Sequence, residues 1–221
     1  MQIVIIGASA SARLALDMIE DCIDAGQEYE ALGFVVDACY GLPGTIIHGK
    51  PILGDFDWLA RHSAQLHAIC AIGDPVIRKR LADRAAECGA RFTTICHPSV
   101  IRSRRSTVGN GCLIGAGVIL SVNARVVDHV HLYTGCRIGH DSIVESYAGL
   151  STGVCVAGKV TLGEGCFVGT GSSIIEKRTV GEWSILGAGS VVIADIPAYS
   201  VAVGVPAKVI KARKLEDPIF S

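Results

Sequence analysis

From Val108 to Val192 every sixth residue is Val, Ile or Leu, in an unbroken run of fifteen that begins Val108, Ile114, Leu120, Val126 and ends Val180, Leu186, Val192. Four residues after most of these stops stands a small residue, such as Cys112, Ala124, Cys136, Ser142, Ala148, Cys166 or Ser172. Glycine often follows the aliphatic directly, as at Gly109, Gly115, Gly139, Gly163, Gly169, Gly181 and Gly187. A period of six fits neither a helix face nor an alternating strand. It fits a short strand and a corner, repeated around a triangular coil. The aliphatic points inward, the small residue fits beside it, and glycine permits a tight corner. Three hexads close one coil, so residues eighteen apart stack at about 4.8 Å, one strand spacing.

The pattern before the repeat is different. Gln2–Ile6 reads as a buried strand, followed by the small-residue turn Gly7-Ala8-Ser9-Ala10-Ser11 and an amphipathic helix from about Ala12 to Ala25. Further strands are expected over Leu32–Val36, around Ile52, over His67–Ile72 and over Phe92–Ile95, with helices over 56–63 and up to about Cys88. Strands alternating with helices predict a small α/β domain with mostly parallel strands, whose ligand sites lie at the strands' carboxyl ends. Gly7, Asp37 and Gly73 fall there, and Ser9, Ala10 and Ser11 belong to the first turn, where a helix N-terminus can hold a phosphate. On these residues alone a purely structural turn fits equally well. The expected division is a Rossmann-like domain over 1–98 and a β-helix with a short tail over 99–221. The tail from Val209 to Leu215 reads as a short helix.

Composition narrows the function classes. The 221 residues carry a formal charge of −1, which gives no basic face for a nucleic acid. Mean hydropathy is +0.45. Yet no run of about eighteen apolar residues predicts a membrane span, so the excess points to subunit contacts. The N-terminus enters a strand without a basic stretch, unlike a signal peptide. Nine cysteines without a C-x-x-C pair suggest a reducing, cytoplasmic compartment and no metal site.

The unbroken hexads, the preceding α/β domain, His97-Pro98-Ser99 at the junction and Gly204-Val205-Pro206-Ala207-Lys208 near the end together resemble the bacterial hexapeptide-repeat sugar acetyltransferases. The relatives in view are the bacillosamine and perosamine N-acetyltransferases and the sialic acid O-acetyltransferases. The resemblance implies a left-handed coil, a homotrimer, acetyl-CoA bound between neighbouring prisms, and a nucleotide-linked amino sugar as acceptor; the alternative readings are a hydroxyl of a sialic-acid-like sugar as acceptor, or a non-catalytic trimeric nucleotide-sugar-binding protein. It also implies catalytic roles. Ile138-Gly139-His140-Asp141 puts His140 and Asp141 at an outward corner. A neutral imidazole there can take the proton of an attacking amine, with the carboxylate fixing its tautomer. Read without the family, an exposed corner histidine with no task fits as well.

Gly158, one coil above His140, matches a glycine whose amide holds the thioester carbonyl. Thr170 and Ala188 match CoA contacts stacked along an edge, and Gly149 matches a position near the acyl-CoA or the acceptor. Three places depart from the family: Tyr133 replaces an asparagine, Gly149 replaces a histidine, and Ala10-Ser11 replaces Gly-His in the first loop. Arg102, Arg104 and Arg105 read as a solvated first coil or a phosphate site, and Lys208 and Lys211 as a solvated tail or CoA phosphate contacts.

Overall fold

The computed structural model describes residues 1–217 and 219. β1 (Gln2–Ile6), α1 (Ala10–Asp24), β2 (Glu30–Val35), β3 (Ile46–Ile47), β4 (Lys50–Gly54), α2 (Phe56–His62), β5 (His67–Cys70), α3 (Pro75–Glu87) and β6 (Arg91–Phe92) make the first domain. Its sheet runs in the order β3-β4-β2-β1-β5-β6, parallel throughout except for the β3–β4 hairpin. The continuous apolar run of β1 follows from its central place: Ile3, Val4, Ile5 and Ile6 are all buried, with α1 covering one face and α2 and α3 the other.

The expected Phe92–Ile95 strand divides in two. Arg91–Phe92 closes the α/β sheet, while β7 (Ile95–Cys96) already pairs with Leu113–Ile114 of the coil. The first prism strand thus lies just before the boundary expected at residue 98.

From there two-residue strands recur every six residues and pair in parallel with the strand eighteen residues on. They form three faces. The first carries β7 and the strands at 113, 131, 149, 167 and 185, and the other two carry six and five strands. The hexad aliphatics from Ile114 onward and the small residues fill the interior. Ser142 is tolerated inside because the neighbouring coil satisfies its hydroxyl. Ser142 Oγ donates to the Ala157 carbonyl at 2.8 Å and accepts from the Val160 amide at 3.0 Å. Burial pushes the thiols of Cys112, Cys136 and Cys166 up to about 12.

The corner glycines have a different reason from the one expected. Those that follow the aliphatic do not have positive φ. They sit where the next coil comes too close for a side chain: a Cβ on Gly163 would lie 2.5 Å from the Glu182 amide nitrogen. The left-handed residue is two positions later, and it is often not glycine; Asn123, Asp141 and Lys159 all hold φ near +57° there.

The tail is also corrected. Ala207–Ala212 is a strand, not a helix, and pairs antiparallel with Ser200–Gly204. Ser200–Gly204 continues the first face, so the hairpin caps that sheet.

The first face is the one that meets the α/β domain. Its outward positions Leu113 and His131 are buried, whereas Ile101 on the second face is 64% exposed. Ile95 and Leu113 belong to the same apolar cluster as α1.

Candidate active site

His140 and Asp141 sit on the corner after the second face, with Ile138 pointing inward as expected. His140 Nδ1 lies 2.9 Å from Asp141 Oδ2, and Asp141 Oδ1 accepts from Asn123 Nδ2, one coil below, at 2.9 Å. The carboxylate is thus held on both sides. The bond from Asn123 first, and then that from His140, hold its pKa below the ordinary carboxylate range. An ionised Asp141 accepts only, so Nδ1 carries the proton and Nε2 is the basic atom. Both side chains remain solvent-accessible. The Nε2 end of the imidazole lies against Gly158: a Cβ there would stand 2.3 Å from Nε2. Among the described residues the Gly158 amide donates to no group, nor do those of Thr170 and Ala188.

The second component is a pocket of about 850 Å³ between the α/β domain and the prism. Gly7, Ser9, Ala10, Ser11, Asp37 and Gly73 all line it. Gly7 has φ +112°, and a Cβ there would meet Ile72 Cδ1 at 2.6 Å, so the turn requires glycine. α1 starts at Ala10, two residues earlier than expected, which puts Ala10 and Ser11 in its first turn. That turn has no acidic residue, and the Ser9 side chain caps nothing. α2 and α3 are instead capped by Asp55 and Asp74. The open N-terminus of a fifteen-residue helix therefore faces the pocket, an arrangement that favours an anion. Asp37 accepts from Arg84 Nη1 at 2.8 Å, and the Arg84 guanidinium lies over the Phe56 ring, 3.9 Å from its centroid.

The prism contributes Tyr133, Ser151, Thr152 and Phe167 to the pocket wall. Thr170 stands next to Ser151 on the same edge, their hydroxyls 2.8 Å apart, and Ala188 follows one coil on. His140, Asp141 and Gly158 do not line the pocket; they occupy the neighbouring edge of the same prism. Gly149 belongs to neither edge. It lies on the face beneath the α/β domain, where a Cβ would meet Phe167 at 3.2 Å and Arg78 Nη2 at 3.8 Å. The arginines at 104 and 105 are exposed, as are Lys208 and Lys211.

Arg78, on α3, has a fully buried side chain that the sequence does not foretell. Nε donates to the His129 carbonyl at 3.0 Å, Nη1 to those of Ile72 (2.7 Å) and Gly73 (3.2 Å), and Nη2 to those of Tyr147 and Ala148. The guanidinium thus ties the pocket floor to two coils of the prism. His131 lies beside it, with Nδ1 facing Arg78 and Nε2 facing the Cys70 carbonyl at 3.1 Å. Burial first, and then the Arg78 charge, push the His131 pKa well below its ordinary value, so it is neutral, with its proton on Nε2. The one available signal was the row Ile95, Leu113, His131, Gly149, Phe167, Ile185, an outward stripe without formal charge that marks a covered face.

An α/β domain with an open helix N-terminus, docked on a hexapeptide coil with a histidine–aspartate pair at its corner, has the architecture of a β-helix acyltransferase with an N-terminal α/β module. Residues 2–85 match the PglD N-terminal domain family. The GDP-perosamine N-acetyltransferase of Escherichia coli O157:H7 is 26% identical over 167 residues, which span 75% of this chain and 74% of that one. A histidine-to-asparagine variant of perosamine N-acetyltransferase from Caulobacter crescentus, solved with CoA and GDP-perosamine, superposes with a TM-score of 0.87 at 30% identity, covering 96% of this chain and 97% of that one. The acetyltransferase domain of PglB from Neisseria gonorrhoeae, with acetyl coenzyme A, shares the fold at TM-score 0.83 and 24% identity, over 95% and 98% of the two chains. The chain belongs to the bacterial hexapeptide-repeat sugar N-acetyltransferase family, and its prism is the left-handed β-helix of that family.

Proposed function

We propose that this protein transfers an acetyl group from acetyl-CoA to the amino group of a nucleotide-linked amino sugar. The observation that carries the reading is the His140–Asp141–Asn123 chain, which leaves one basic nitrogen directed over Gly158 at an accessible corner. The acceptor amine attacks the thioester carbonyl, and His140 Nε2 takes its proton as the C–N bond forms. The oxyanion of the tetrahedral intermediate accepts from the Gly158 amide. The C–S bond then breaks, and the proton passes from the imidazolium to the departing CoA thiolate. Asp141 holds the tautomer and stabilises the imidazolium.

The nucleotide diphosphate occupies the pocket with its charge on the first turn of α1, and Asp37 lies at the nucleoside end. CoA runs along the edge of Thr170 and Ala188. Because the pocket and His140 lie on different edges of one prism, a complete site takes its histidine from a neighbouring copy, in a homotrimer. Tyr133 and His140 belong to one coil, seven residues apart. A rotation axis parallel to the prism therefore brings one copy's His140 to the level of the next copy's Tyr133. No described helix is long and apolar enough to cross a membrane.

The test is thiol release from acetyl-CoA with GDP-, UDP- and dTDP-linked 4-amino sugars and a free sialic acid, comparing wild type with His140→Ala. Turnover of one amino sugar is expected, falling about a hundredfold to ten-thousandfold in the variant. Undiminished transfer by a normally folded His140→Ala protein would sink the mechanism. Turnover of the sialic acid alone would make a hydroxyl the acceptor.

A further inference from the structure

The pocket contains a contact that neither the acyl transfer nor the anchoring of the diphosphate uses. Ser11 Oγ and Tyr133 Oη lie 3.0 Å apart, joining the first turn of α1 to the prism corner across 122 residues of chain. Both residues line the pocket, and the pair is only partly buried. Each hydroxyl offers one proton and two lone pairs. Their mutual bond uses one proton and one lone pair, which leaves one O–H donor and three lone pairs. Among the described residues neither hydroxyl has another hydrogen-bond partner. The pair therefore presents a donor and an acceptor side by side, the complement of a sugar hydroxyl.

Its position says which hydroxyl. On one side stands the open α1 N-terminus, whose first turn contains Ser11 itself. On the other stand Ser151, Thr152 and the Phe167 ring. A ligand whose diphosphate rests on that first turn begins its sugar ring at Ser11 and Tyr133. The Tyr133 ring is also held in place: it packs edge-on to His131, ring centroids 6.1 Å apart, and His131 is in turn fixed by Cys70 and Arg78. A fixed, partly desolvated hydroxyl pair loses its partner when the ligand lacks one, and that loss discriminates more strongly than a change of apolar size.

We propose that the Ser11–Tyr133 pair is a specificity-determining element that reads the ring hydroxyl next to the diphosphate linkage. The inference rests on the nucleotide-sugar reading of the pocket and adds the feature of the sugar that it selects. A merely mechanical strap between the domains would use the same bond, so the experiment must separate the two.

The measurement is calorimetric binding, to wild type, Tyr133→Phe and Ser11→Ala, of three probes per nucleotide (GDP and UDP): the nucleoside diphosphate, its hexose conjugate, and the conjugate lacking the hydroxyl next to the linkage. Wild type is expected to prefer the hydroxylated conjugate by about tenfold to a hundredfold, and each variant to shrink that ratio to about threefold or less, with Tyr133→Phe binding the bare diphosphate nearly as wild type does. A ratio unchanged in both variants overturns the inference. So does an equal loss for conjugate and bare diphosphate, which is what a strap would give. Wild type that binds conjugates but never transfers acetyl overturns the proposed activity and leaves this comparison intact. Wild type that binds no probe overturns both.

Discussion

Gly158 is the residue whose two roles come apart most cleanly. Its backbone is not in the left-handed region, so alanine fits the chain there, but the added methyl would lie 2.3 Å from His140 Nε2. The ring is an exposed side chain and can move aside, so the fold should hold while the base is displaced. Gly158→Ala is expected to keep the wild-type melting temperature and lose roughly tenfold to a hundredfold in kcat, the cost of a misplaced catalytic group. Thermal melts and thiol release on the same preparations check it; a matching fall in both would mean that the glycine serves the coil alone. The corner positions of His140 and Asp141, and Gly158 one coil above His140, were legible in the sequence because the six-residue register and its eighteen-residue stacking fix them; the roles came only from the resemblance. Asn123 as second anchor of Asp141 was not legible, because it depends on the rotamers taken there.

At the scale of elements, the coil was readable because one short rule is repeated without interruption, and each strand needs only its neighbours eighteen residues away. The tail had no such repetition. Val209, Ile210 and Leu215 fit a helical spacing on paper, but Ser200–Gly204 offers an open sheet edge, and the Gly204-Val205-Pro206 turn folds Ala207–Ala212 back onto it. An available edge outweighed local spacing. The glycines were found in the right places for the wrong reason, since close approach between coils and not corner conformation excludes a side chain. That difference is testable. Gly163→Ala would press a methyl against the Glu182 backbone, with distances of 2.5 and 2.8 Å to its N and Cα atoms. Backbone in the next coil cannot swing away as His140 can, so chemical denaturation should show a loss of about 1–3 kcal/mol. An unchanged denaturation midpoint would mean the coil can open at that corner.

For the molecule as a whole, the uncharged outward row through Leu113, His131 and Phe167 marks the prism face that the α/β domain covers, but nothing in the sequence shows how the two are fastened. That face was decided by side chains far apart in the chain, Arg78 and His131 above all. Burial and the Arg78 charge hold His131 neutral and push its pKa well below the ordinary value, and burial lowers His129 as well. As pH falls below about 6.5 the unfolded chain takes up these protons before the folded one does. Stability present above that pH is therefore lost progressively below it. The melting temperature of wild type should drop more between pH 7.5 and pH 5 than that of His131→Asn, although the variant starts lower for want of its bond to Cys70. Parallel curves would remove His131 from the acid response. Arg78 carries the remaining consequence. Its guanidinium is surrounded by carbonyl oxygens, and among the described residues it has no carboxylate partner, so a full positive charge persists beneath the pocket floor at Ile72 and Gly73. Mobile counter-ions cannot reach it there, whereas they shield surface lysines within about 10 Å at ordinary ionic strength. Its pull on a diphosphate should therefore survive added sodium chloride that silences the charges on the outside of the protein.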